Sequence, residues 1–172
     1  KVVVLANDSG RSKEISDEGI EFVNIAMSRS GVNPFTELLL LLKMLLVYIR
    51  IRPSLVYHVT MKPVIYGTLI SKILGYKTVN AISGLGYNFT GERKGFVQNK
   101  MIQLMRFGFN KQNNSLIFEN RDDLKELDNL GIITVKNKVD IITGVGAILV
   151  KFGYTAPLVK EKLIVLLATR ML

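Results

Sequence analysis

Seven short apolar runs recur along this sequence, and their spacing limits the possible fold more than any other feature. They are "KVVVLA" (1–6), "IEFVNIA" (20–26), "SLVYHVT" (54–60), "KTVNAIS" (77–83), "NSLIFEN" (114–120), "VDIITG" (139–144) and "KLIVLLAT" (162–169). Together they are enriched in β-branched residues and most are nearly continuous in apolar character, the pattern of parallel strands that meet no water on either face. The intervals carry helical patterns: "RSKEISDEG" ending at Gly19, "NPFTELLLLLKMLLVYIRIRP", "KPVIYGTLISKILG" ending at Gly75, "GFVQNKMIQLMRFGFN", and "RDDLKELDNLG" ending at Gly131. Strand and helix alternating throughout predict an α/β fold, a doubly wound, mostly parallel sheet with helices on both faces. A chain of this length buries roughly 70% of its unfolded surface, enough for a single core.

The second helical segment has clear boundaries, with Asn33 as N-cap, Pro34 in the first helical position and Pro53 beyond the end. Leu38 to Leu46 is interrupted only by Lys43. Three placements fit such a helix: buried against a sheet, lying in a membrane interface, or spanning a bilayer. It is about 17 residues long and carries Glu37, Lys43, Arg50 and Arg52, so it falls short of the roughly 20 apolar residues a span requires. Burial is the expectation, with interfacial binding next.

The absence of cysteine and the single histidine exclude a disulfide framework and a thiolate metal site, and no metal or other cofactor is expected. No secretory signal is visible, and a reducing, cytoplasmic setting fits best. The net charge of +9 is uneven: residues 51–118 hold nine basic side chains against one acidic, a net of +8. That segment is either a solvated basic face or an attractor of phosphates, whether of nucleic acid, anionic lipid or a small molecule.

In open parallel sheets ligands sit beyond the carboxyl ends of the strands, so the residues following each run are the candidate site. After "SLVY", the residues His58, Thr60 and Lys62 leave a strand at alternate positions, and Pro63 then reads as the first residue of a helix whose N-terminus suits a phosphate or a sugar hydroxyl. After "KTVNAI" comes "SGLGYNFTG", where Gly84 and Gly86 let a ligand approach the main chain. The dinucleotide fingerprint fails there at Phe89, and a turn with no ligand is the competing reading. His58 reads equally as a hydrogen-bonded structural residue. Asp122 and Asp123 read as helix-capping acids rather than catalytic ones.

The stretches "YHVTMKPVIYGTLISKILG", "ISGLGYNFTG" and "IFENRDD" resemble the amino-terminal half of bacterial family-4 glycosyltransferases, and the opening "VVVLANDSGRSKEISDEGIEFVNIAMSRSGVNPFTEL" is similar to the same group. "GVGAILVKF" departs from the family's Gly-Ser-Gly-Val-Asp pattern at Val145 and Ile148. The resemblance implies a GT-B enzyme with retaining chemistry, moving a sugar from a UDP-sugar to a lipid-linked or polysaccharide acceptor. It also implies that residues 1–161 form a Rossmann-like acceptor-side domain lacking its first strand and helix, and that residues 162–172 are the first strand of a donor-binding domain. His58, Thr60, Lys62, Gly84, Leu85, Gly86, Tyr87 and Asn120 would then shape the acceptor cleft, and Arg170 would contact the donor pyrophosphate.

Such a fragment is expected to be inactive by itself, and its whole enzyme to be cytoplasmic, peripheral on an anionic membrane surface. A sugar-nucleotide epimerase of the same architecture is the alternative enzyme, and a basic nucleic-acid- or membrane-binding module the alternative of another class. Nucleic acid is not expected as a partner, because Arg93, Lys94, Lys100, Arg106 and Lys111 lack an interleaved aromatic platform. A central strand missing from the sheet would leave "VVVLA" and "LVYHV" without a neighbour, and residues 163–168 are expected to pair beside residues 2–5 or 55–59 and fill that place.

Overall fold

A computed structural model describes residues 1–27, 33–85 and 95–143 of the chain. Six of the apolar runs form strands there: β1 (Val3–Ala6), β2 (Glu21–Asn24), β3 (Leu55–Val59), β4 (Lys77–Ile82), β5 (Asn114–Phe118) and β6 (Asn137–Ile141). The helices between them are α1 (Ser12–Asp17), α2 (Pro34–Ile51), α3 (Thr68–Leu74, entered through a π-helical turn at Pro63–Gly67), α4 (Phe96–Phe109) and α5 (Arg121–Asn129). β3, β4, β5 and β6 make a four-stranded parallel sheet in sequential order, and β1 and β2 pair in parallel separately. This is the α/β, Rossmann-like architecture expected, with helices flanking a parallel sheet.

Burial explains the order. Along β3, β4 and β5 the alternate residues His58, Thr78, Asn80, Ile82, Asn114, Leu116 and Phe118 point into the helical layer and are buried. Ile82, Leu116 and Phe118 join Val64 and Ile65 of the π turn, Ile102, Met105 and Phe109 of α4, and Leu127 of α5 in the main core. A second core centres on Leu40, Met44 and Tyr48 of α2. It takes in Ile25 after β2, Leu5 of β1, Val56 of β3 and Ile70 of α3. One helix therefore covers both sheets, as the burial expectation for α2 required. The opposite side of β3 is less covered, since Leu55, Tyr57 and Val59 are exposed.

Two sequence-based boundaries need correction, and the basic charge is placed differently from one of its two readings. The helix after β3 begins before Pro63: Met61 and Lys62 are already helical, and Val64 N–H donates to Thr60 O at 3.0 Å, so Thr60 ends the strand side and Lys62 lies within the first turn. β6 starts at Asn137 rather than Val139, because Asn137 Oδ1 accepts the Thr134 N–H at 2.8 Å and the turn closes early. The basic segment is also distributed differently from a single phosphate-facing patch. Arg52 caps the end of α2, Lys72 and Arg106 lie in the last turns of α3 and α4, and Lys77 opens β4. All stand at the amino edge of the sheet, and three basic side chains there satisfy carbonyl groups: Lys72 donates to Phe107 O, Arg106 to Leu130 O and Lys111 to Tyr76 O. Cations at helix C-termini complement the exposed carbonyl dipoles, so much of this charge is structural. Burial, with Lys72 nearby, brings the Lys111 pKa down to about 8.

The expected strand at 162–169 and its pairing beside β1 or β3 lie outside the described residues. Among those residues, β1 pairs with β2 and β3 with β4, each on one edge.

Candidate functional site

The parallel register aligns the carboxyl ends of the sheet. Val59 pairs with Ala81, Ile82 with Phe118 and Phe118 with Ile141, and Glu119 N–H continues the ladder to Ile82 O at 3.3 Å. Thr60, Gly84 and Asn120 therefore leave three consecutive strands that lie about 4.8 Å apart. Two of these tips have backbones that a generic turn does not need. Thr60 has φ 70°, a left-handed conformation that a β-branched residue adopts only under strain. Gly84 has φ 145°, and no described residue comes within 4 Å of the position a Cβ would take, so among the described residues its main chain stands open. Leu85 turns inward and is 4% exposed, joining the main core. Asn120 is the N-cap of α5: its Oδ1 accepts Asp123 N–H at 2.8 Å and its Nδ2 donates to Asp123 Oδ2 at 2.8 Å. The cap is Asn120 itself, with Asp122 and Asp123 as the acids of the first turn.

Lys62 points to α2. Its Nζ lies 2.6 Å from Glu37 Oε1, and Tyr66 OH donates to Glu37 Oε2 at 2.7 Å. Both charged side chains are more than four-fifths covered. Burial, reinforced by Glu37, pushes the Tyr66 phenol well above its ordinary pKa. This cluster fixes the amino end of α2 against the turn that follows β3, with positive and negative charge held together at the rim of the strand ends.

His58 lies below that rim, 2% exposed. Its Nδ1 is 2.7 Å from Asn80 Oδ1 and its Nε2 is 2.8 Å from Tyr48 OH. An amide oxygen only accepts, so Nδ1 carries the proton and the Tyr48 hydroxyl donates to Nε2. Asn80 Oδ1 also accepts from Thr68 Oγ1, and Asn80 Nδ2 donates to Asn114 Oδ1, which takes a second bond from Thr78 Oγ1. The network crosses β3, β4 and β5, its donors running in sequence from Tyr48 through His58 and Asn80 to Asn114. Desolvation drives the His58 pKa down to about 4, keeping the ring neutral. With both nitrogens engaged, the hydrogen-bonded structural reading of His58 describes this geometry.

The sequence profile of the glycosyl transferase 4-like family matches residues 1–120. The chain belongs to that family. No curated protein matches it. The match ends at Asn120, so it takes in the three strand ends and the helices between them. In this glycosyl transferase 4-like domain, Thr60, Gly84 and Asn120 share one edge and Lys62 stands beside them in its ion pair. His58 and Leu85 support that edge from beneath. Gly86, Tyr87 and Arg170 lie outside the described residues. Sequence reasoning missed Glu37, Tyr66, Asn80 and Asn114. Asn80 and Asn114 left a signal, asparagines in or beside apolar strand runs where a buried amide must find partners. Glu37 left none, because its partners come from a segment about 25 residues away.

Proposed function

We propose that this chain is the acceptor-side domain of a retaining glycosyltransferase that moves a sugar from a UDP-sugar to a lipid-linked or polysaccharide acceptor. The observation that carries the reading is the strained Thr60 and the open Gly84 backbone side by side at the carboxyl edge of the sheet, where open α/β folds bind ligands, within the segment matched by the glycosyltransferase family. Strain and bare backbone at one edge support a binding role, because neither is needed to close the sheet. The acceptor lies across Thr60, Gly84 and Asn120, with the Lys62–Glu37 pair at its side. His58 contributes by holding β3 under the Thr60 turn.

The donor is held by a second domain beginning with residues 162–172, and Arg170 is its pyrophosphate-binding residue. Departure of the nucleotide diphosphate is assisted by electrostatic stabilisation rather than by a nucleophile from this half. Membrane attraction brings the lipid-linked acceptor within reach, through the leucine-rich α2.

The test is an amide-resolved NMR titration with a short-chain polyprenyl diphosphate-sugar in detergent micelles. Shifts concentrated at Thr60, Gly84 and Asn120 are expected. Shifts confined to the amino edge, around Lys72, Lys77 and Lys111, would overturn the reading in favour of nonspecific anion attraction.

A further inference from the structure

Buried polar side chains in this domain find partners along the His58–Asn80–Asn114 network. Among the described residues two buried side-chain atoms do not, Ser71 Oγ and Gln98 Oε1. Ser71 lies within α3, away from the strand ends. Gln98 lies in the first turn of α4, and it is 6% exposed.

Its position is unusual for an amide. Gln98, Ile102, Met105 and Phe109 form the buried stripe of α4, so a glutamine occupies the place where the stripe would take another apolar residue. Ile102, one turn on, packs in the core that contains Leu85 and Ile82. The amino end of α4 follows β4 and stands at the carboxyl edge of the sheet, and helical side chains lean toward the amino end. Gln98 thereby stands in the turn of α4 nearest the edge that carries Gly84 and Asn120, its amide oxygen buried and without a partner among the described residues. A glutamine at this point of a helix ordinarily reaches back to the N-cap N–H. Here the N-cap is Gly95, which has no side chain to cap the helix, and among the described residues Gln98 Oε1 accepts nothing.

We propose that Gln98 is a sugar-reading residue of the acceptor cleft, its Oε1 accepting a hydrogen bond from a saccharide hydroxyl. The assignment rests on the strand ends being the acceptor site. An amide oxygen suits a hydroxyl and not an ionised phosphate, which has no proton to donate. Gln98 therefore adds selectivity for the sugar itself, distinct from attraction to a diphosphate. An apolar residue would fold better here, so the amide is retained at the expense of stability, as binding groups often are.

The experiment uses the 172-residue chain, a panel of methyl hexosides and N-acetylhexosaminides, and inorganic pyrophosphate as the anionic control. Side-chain amide and backbone resonances are followed together. In the wild type, at least one glycoside shifts the Gln98 side-chain amide along with Thr60 and Gly84. Gln98→Met, of similar volume but without the amide, melts at or above the wild-type temperature and binds that glycoside at least tenfold more weakly, with the pyrophosphate response unchanged.

If the strand-end amides respond and Gln98 does not, or Gln98→Met binds normally, the Gln98 proposal fails while the cleft reading stands. If no glycoside moves any strand-end amide, both fall.

Discussion

His58 is neutral because burial removes the water a charged imidazole needs, and its pKa of about 4 lies below the ordinary 6.5. The unfolded chain takes up a proton below pH 6.5 that the folded chain refuses until about pH 4, so stability is fully present above 6.5 and drains away as pH falls through that window. Between pH 7.5 and 5 the loss is about 2 kcal/mol from this residue. Urea midpoints for the wild type and His58→Gln at the two pH values test it: the variant is less stable at pH 7.5 and loses less on acidification. Thr60 makes the opposite prediction. Replacing a β-branched residue at φ 70° with glycine relieves backbone strain, so Thr60→Gly gains about 1 kcal/mol in the same assay while weakening acceptor binding. No sequence pattern announces that strain. A threonine after an apolar run reads as the end of a strand, and its conformation is set by the helix that begins at once behind it.

At the level of elements, the π-helical turn Pro63–Gly67 depends on a residue from another strand. A Cβ on Gly67 would run into the His58 ring, so this glycine is required by packing and not by its own backbone angle. Gly67→Ala is expected to destabilise the domain by about 2 kcal/mol, as overpacking does. The double variant Gly67→Ala with His58→Ala recovers part of that loss, and a double-mutant cycle on thermal unfolding reads the coupling. α2 poses a different question. Its buried side is Leu40, Met44 and Tyr48, yet Phe35, Leu38, Leu42, Leu46 and Ile49 form a second apolar stripe that is exposed, Phe35 by 84%.

Among the described residues no helix is long and apolar enough to cross a membrane, so a membrane role for α2 is interfacial. Flotation with anionic liposomes at low salt is expected to carry the chain upward, and Leu42→Ser with Leu46→Ser to leave most of it behind. Equal recovery of both proteins in the bottom fraction would count against the membrane role. The sequence showed α2 to be unusually apolar, but it did not divide those leucines between core and surface, because both sides of the helix carry the same residue type.

For the whole molecule, the proposed acceptor-side role predicts that the 172-residue chain shows no transfer from any UDP-sugar when assayed alone with radiolabelled donor and lipid acceptor. Labelled product from the purified chain would show that catalysis resides in these 172 residues. The α/β class, the six described strands and the candidate edge were legible in the sequence, because apolar runs and helix stops are local signals fixed by side-chain chemistry and backbone allowance. Strand pairing was decided by the packed structure: among the described residues β2 and β3 are joined by α2 alone, yet they lie in separate sheets. Partnerships across distant segments were decided by tertiary structure: His58 with Asn80 and Tyr48, Lys62 with Glu37, and the basic side chains with helix carbonyls at the far edge. A buried polar group takes whichever partner the packed elements bring within hydrogen-bond distance, and that distance exists only after the sheet has formed. The same principle makes Gln98 informative, since packing supplied partners for the His58, Asn80 and Asn114 side chains and left its buried amide oxygen without one among the described residues.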